Sequence, residues 1–171
     1  MTYFAYPGEI AGVSTEYWEF LARGDTKLTD RLRAAAGFAI SPNVSKTGAW
    51  SKFAAAGLGL ELPSSLLPDN VTAIATGGAG YFWFGKQKDD FGGFPLPSYV
   101  TWNAGVTLGF KNLHLDLRYF DTNLSKENCY VFTGDPNAAG GGRVNPLTNP
   151  DGLTSRWCSA TVVAKFWFSL N

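Results

Sequence analysis

Residues 99–120 alternate between two kinds of side chain, and a period of two admits a β-strand with unlike faces while excluding an amphipathic helix. From Tyr99 to Lys111 one phase reads Val100, Trp102, Ala104, Val106, Leu108, Phe110; the other reads Tyr99, Thr101, Asn103, Gly105, Thr107, Gly109, Lys111. After Lys111-Asn112 the alternation resumes, with Leu113, Leu115, Leu117 and Tyr119 set against His114, Asp116, Arg118 and Phe120. This predicts a hairpin with a very short turn. The segment Ser159 to Leu170 repeats the design, with Val162, Ala164, Phe166 and Phe168 opposite Thr161, Val163, Lys165 and Trp167.

Earlier segments carry the same period. Asp30 to Ile40 and Trp50 to Leu62 each have one apolar phase, and Glu16 to Ala22 sets Trp18, Phe20 and Ala22 against Tyr17, Glu19 and Leu21. Val71 to Phe84 is Gly-rich and apolar in both phases, so its facing stays open. With the fragment Thr2 to Tyr6 these make seven strands and part of an eighth, with no helical period. Twenty glycines, nine prolines and 15% aromatic residues agree with an all-β chain. It reads as a single domain over residues 1–171.

Strands of about 10 to 13 residues exceed the usual five or six and suit a tilted membrane strand of about 9 to 11. Bulky rings gather at one end of each: Tyr17 and Trp18, Trp50, Tyr81 to Phe84, Tyr99 and Trp102, Tyr119 and Phe120, Trp157. The connections on that side (Pro7 to Ser14, Ser41 to Gly48, Gly85 to Ser98, Asp121 to Arg156) are long, and those on the other (Arg23 to Thr29, Pro63 to Asn70, Lys111-Asn112) are shorter. Long loops on one side, short turns on the other and an aromatic girdle predict an antiparallel up-and-down transmembrane β-barrel of outer-membrane type, with about eight strands present.

Other classes fit poorly. Zero net charge and 16% charged residues give no basic face for nucleic acid. The uncharged stretch Phe94 to Phe110 is broken by Pro95, Pro97 and Asn103, so it makes no membrane helix. Met1 to Gly8 opens on an aromatic segment and a turn rather than a secretory leader, which reads as a cytosolic chain or one whose true N-terminus is missing.

The run Thr101-Trp-Asn-Ala-Gly-Val-Thr-Leu-Gly-Phe-Lys-Asn-Leu-His-Leu-Asp-Leu-Arg-Tyr-Phe-Asp-Thr-Asn-Leu-Ser125, followed by Cys129 and by Trp157-Cys158, resembles the C-terminal portion of the TorF-type porins (Gcw_chp). Tyr3 to Gly8, Tyr17-Trp-Glu19, Ile40-Ser-Pro42 and Leu60 to Pro63 match in the same order. The resemblance implies an outer-membrane porin with a signal peptide and several strands ahead of the point where this chain starts. The barrel here is then expected to be incomplete. The C-terminus, Phe168-Ser-Leu-Asn171, departs from the aromatic ending common among outer-membrane strands.

In this reading the polar phase lines a lumen at Glu19, Arg31, Arg33, Asn103, Thr107, His114, Asp116, Arg118, Thr161 and Lys165. The lumen passes small solutes by passive diffusion, and its mixed signs predict weak ion selectivity. Because the interior of an eight-stranded barrel is filled by side chains, a pore would need further strands. His114, Asp116 and Arg118, with Ser159 or Thr161, could be drawn as an acid–base group. The same spacing arises on any polar face, so no catalytic residue and no enzyme activity are expected.

Cys129 and Cys158 are the only cysteines and fall in one loop region, so an oxidising compartment should join them. No second Cys or His pair is available for a metal, and no cofactor is expected. Gly77-Gly-Ala-Gly80 and Gly140-Gly-Gly142 lack the context of phosphate loops. Arg23-Gly24-Asp25, placed in a turn, reads as a chance adhesion tripeptide. The expected partners are membrane lipid and small solutes, with no nucleic acid; the oligomeric state stays open. The alternatives are a non-channel outer-membrane barrel whose disulfide-tied loop binds a partner, and a soluble lipocalin-like barrel whose apolar phase lines a cavity.

Overall fold

The computed structural model describes residues 1–5 and 15–170. The expected strand end at Tyr6, the loop from Pro7 to Ser14 and the Tyr6-Pro7-Gly8 part of the resemblance lie outside the described residues. Eight strands follow in order: β1 (Thr2–Phe4), β2 (Tyr17–Lys27), β3 (Leu32–Ser41), β4 (Ser51–Glu61), β5 (Val71–Phe84), β6 (Tyr99–Phe110), β7 (Leu113–Thr122) and β8 (Thr161–Phe168). Among the described residues one α-helix, α1 (Lys126–Thr133), sits between β7 and β8, and three single 3-10 turns lie in other connections. All eight strands form one sheet in sequence order, each antiparallel to the next. Among the described residues β1 and β8 do not pair, so the sheet is not closed.

Two expectations are corrected. β2 runs on to Lys27, so Arg23-Gly24-Asp25 lies within a strand and not in a turn. The small residues of β3 accept it there: Arg23 pairs Gly37, Gly24 pairs Ala36 and Asp25 pairs Ala35. The turn follows instead at Leu28, whose N–H donates to the Leu32 carbonyl at 2.8 Å, while the Thr29 hydroxyl accepts from Leu32 N at 3.0 Å. The second correction is α1. Only eight residues long, it is too short for a helical period to register, and its caps define it: the Ser125 hydroxyl accepts from Asn128 N at 3.1 Å, and Gly134 closes it in the left-handed region at φ 56°.

Soluble domains bury the apolar face of a sheet against a second layer; among the described residues this sheet has none. The buried apolar residues are only Ala39, Ala49, Ala73 and Cys129 among the described residues. The chain exposes 11262 Å², against about 8,200 Å² for a compact chain of its 18.5 kDa mass. Close backbone approach replaces core packing at particular points. A Cβ on Gly105 would lie 2.6 Å from the Leu117 carbonyl oxygen, and one on Gly80 would lie 2.5 Å from the Phe53 ring.

Candidate functional site

The pairing register sorts every strand residue onto one of two faces. Thr107, Asp116 and Lys165 stand in one row across β6, β7 and β8. Following the same parity through Ile74, Glu61, Gly59, Arg33 and Lys27 carries that face to β2. It bears Glu19, Arg23 and Asp25 of β2, Arg33 of β3, Thr72 and Thr76 of β5, Asn103 and Thr107 of β6, His114, Asp116 and Arg118 of β7, and Thr161 and Lys165 of β8. The register also settles β5, placing Thr72, Ile74, Thr76, Gly78, Gly80, Phe82 and Phe84 on the polar face.

The other face is apolar along its length, with Phe20, Phe38, Leu58, Leu60, Leu108, Leu117, Phe166 and Phe168 all exposed. Its two strand charges, Lys52 opposite Trp83 and Asp121 opposite Trp102, both lie at the aromatic end. Lys52 Nζ stands 5.0 Å from the Trp50 ring, and Tyr119 donates its hydroxyl to Asp121 at 2.8 Å. On β4 and β6 the exposure pattern inverts that of a soluble sheet, whereas at the start of β5 the polar-face Thr72 and Ile74 are exposed and the apolar-face Ala73 is buried. Along β4, Lys52, Ala56, Leu58 and Leu60 are exposed while Phe53, Ala55, Gly57 and Gly59 are half-buried; along β6, Ala104, Leu108 and Phe110 are more exposed than Asn103, Thr107 and Gly109.

On the polar face four predicted residues meet in one cluster. Thr107 Oγ1 donates to Asp116 Oδ2 at 2.6 Å; Arg118 donates from Nε to Asp116 Oδ1 at 3.1 Å and from Nη2 to Oδ2 at 2.8 Å; and Arg118 Nη1 donates to Asn103 Oδ1 at 2.9 Å. Lys165, opposite Asp116, lies 5.2 Å from the Trp167 ring centroid. His114 stacks on Trp167 at 5.0 Å, and its Nε2 lies 3.0 Å from Ser169 Oγ. Thr161 shares a row with Asn103 through Phe120, at the start of β8. Glu19 and Arg33 share this face but stand on β2 and β3, three or more strands away from the cluster. Arg31 belongs to the turn before β3, where its carbonyl accepts from Glu61 N at 2.8 Å.

A groove of about 600 Å³ runs across this face, from Arg23, Asp25 and Arg33 over a floor of Gly57, Gly78 and Gly80 to Thr101 and Asn103. Arg23 and Asp25 were not among the expected lining residues. Carrying the Tyr17, Glu19, Leu21 phase onward would have found them; their turn-like composition hid it. The helix-side end of the face is aromatic. Phe53 stacks on Phe82 at 4.1 Å, Phe82 meets Tyr99 at 5.0 Å, and Phe132 of α1 reaches Phe84 at 5.1 Å and Tyr99 at 5.7 Å.

The expected disulfide is present: Cys129 of α1 is bonded to Cys158, with Cα atoms 5.7 Å apart. The loop it ties has an interior of its own. Ser155 donates to Asp135 Oδ2 at 2.8 Å, and Asn149 bonds both the N–H and the carbonyl of Leu153, at 2.8 and 2.7 Å; all three side chains are buried. The Arg143 N–H donates to Glu127 Oε1 at 3.0 Å, which with further hydrogen bonds holds that carboxyl below its ordinary range. No family model matches this chain, and no curated protein or solved structure does either.

Proposed function

We propose that the sheet is the wall, whole or in part, of an outer-membrane β-barrel through which small solutes diffuse along the polar face. One observation carries the reading: a single-layer sheet whose apolar face leaves large side chains exposed on most of its strands. Leu58 is 54% and Phe166 66% exposed, and in water each such side chain forgoes about 1 to 2 kcal/mol of burial. A hydrocarbon phase against this face recovers that energy, and the two charges on it sit at the aromatic end, where a bilayer meets its headgroups. The groove on the opposite face is walled mostly by alanine and glycine, and the polar groups on it, Arg23, Asp25, Arg33, Thr76, Thr101 and Asn103, favour a water-filled path over a lipocalin-like cavity, which would be lined by the apolar phase. The resemblance to TorF-type porins points the same way.

A second reading, a non-channel barrel whose loop binds a partner, is favoured by the ordered interior around Asn149, Ser155 and Asp135. Reconstitution of the closed barrel, which this chain forms alone or together with further strands, into planar bilayers and liposomes tests both. Steady conductance with glycerol-driven liposome swelling supports the porin, and membrane insertion without either supports the second reading. A monomer that stays in solution without detergent refutes both.

A further inference from the structure

Phe132 belongs to a loop, yet its ring rests on Phe84 and Tyr99, which the register assigns to the face that bears Asp116 and Arg118. The loop helix therefore folds over the polar side of the sheet. Its place along that side is fixed by the pairing: Gly80 and Thr101, partners across β5 and β6, line the end of the polar groove, and the next row outward is Phe82 with Tyr99. The rings thus abut the groove where it ends. Phe53 completes the row by lying over Gly80, where a Cβ would meet it at 2.5 Å.

Phe132 is held there from several directions. Ser125 caps the start of α1, Cys129 ties the helix to Cys158, and Thr122 Oγ1 donates to the Cys158 carbonyl at 3.2 Å, rooting the same point to the end of β7. Ser155 N donates to the Lys126 carbonyl at 2.9 Å from the returning limb of the loop.

We propose that Phe132, with Phe84, Tyr99, Phe82 and Phe53, forms an apolar gate at the aromatic end of the groove, which small uncharged solutes cross more readily than hydrated ions. The inference rests on the porin reading. An apolar constriction offers an ion nothing in place of its hydration shell, whereas a small neutral solute gives up little. The charges at Asp116, Arg118, Arg23 and Arg33 then lie behind the gate and act on ions only after it is wetted.

The test uses the same closed barrel, oxidised, in planar bilayers for potassium chloride conductance and in liposomes for glycerol-driven swelling. Phe132→Ala should raise ion conductance roughly tenfold while glycerol flux changes less than about twofold. Phe132→Tyr keeps the ring and its packing but adds a hydroxyl, so it should fold as the parent does and raise ion conductance several-fold by wetting the gate. Phe132→Leu should leave both readouts near the parent. Equal ion conductance in the parent, Tyr and Ala variants overturns the gate and leaves the porin reading standing. Absence of both conductance and swelling in every form overturns the porin reading and the gate with it.

Discussion

Arg118 and Asp116, two residues apart on β7, close a two-pronged fork in which Nε and Nη2 each donate to a separate carboxylate oxygen, at 3.1 and 2.8 Å. Both side chains are largely sheltered, at 21% and 15% exposed, on the face that also carries Thr107 and Asn103. Removing the carboxylate leaves Arg118 without its counter-charge and Thr107 without its acceptor. Asp116→Ala should therefore cost about 1 to 3 kcal/mol, read as a lower urea midpoint in detergent. Adding Arg118→Ala should cost less than the two single changes summed, because both disturb one network. In a conducting form, Asp116→Ala should also move the reversal potential toward anion preference.

Gly105 faces Arg118 in the same register. A methyl group there would lie 2.6 Å from the Leu117 carbonyl oxygen and 3.0 Å from the Arg118 Cα, which are backbone atoms and cannot turn aside. Gly105→Ala should destabilise by about 1 to 3 kcal/mol. Gly24→Ala, with nothing within 4 Å of the added Cβ, should change little. A comparison of their urea midpoints checks the pair.

The division of the sheet into two faces was legible because β6, β7 and β8 alternate with few exceptions. β5 was not, since alanine and glycine satisfy either phase and only pairing with β6 assigns Thr76 and Phe82 to the polar side. The second half of β2 was lost to its composition: Arg-Gly-Asp resembles a turn until the alanines of β3 are known to lie opposite. The Asp116–Arg118–Asn103 cluster needed the β6–β7 register in addition to the alternation, and the tight Lys111-Asn112 turn supplied it. Phe132 gave no signal, because its meaning comes from contacts with strands distant in sequence.

Glu127 accepts the Arg143 N–H across the loop, and its carboxyl is held below the ordinary value of about 4.3. A carboxyl depressed on folding stabilises above its unfolded value and loses that contribution as pH falls through the folded one. The loop should thus resist limited proteolysis evenly from pH 7 to pH 5 and become more susceptible below about pH 4. Glu127→Gln should cleave faster at neutral pH and lose this acid dependence. An unchanged acid profile in Glu127→Gln would place the sensitivity elsewhere.

The tie between Cys129 and Cys158 has a separable effect on the same loop. Closing a loop of roughly 30 residues is worth about 3 to 4 kcal/mol in the chain-entropy description. The double variant Cys129→Ser with Cys158→Ser should therefore be cut within residues 134–157 far faster than the parent, while protease resistance of β2 to β7 stays close to that of the parent. Peptide mapping of the digest distinguishes local loosening from loss of the whole sheet.

Ala75 and Thr76 are neighbours on β5 and point to opposite faces, which makes them the sharpest test of where hydrocarbon lies. Ala75 pairs Leu60 and Val106 on the apolar side; Thr76 pairs Gly59 and Gly105 on the polar side and lines the groove. The Thr76 hydroxyl makes no hydrogen bond in the structure, so replacing it forfeits none. In a bilayer Ala75→Arg should cost about 2 to 4 kcal/mol, since a guanidinium near the midplane faces lipid. Thr76→Arg, its long side chain entering the groove, should cost under about 1 kcal/mol. Folding into phospholipid vesicles from urea, followed by tryptophan fluorescence, measures both. Equal costs, or a larger cost for Thr76→Arg, would mean that the apolar face does not meet lipid.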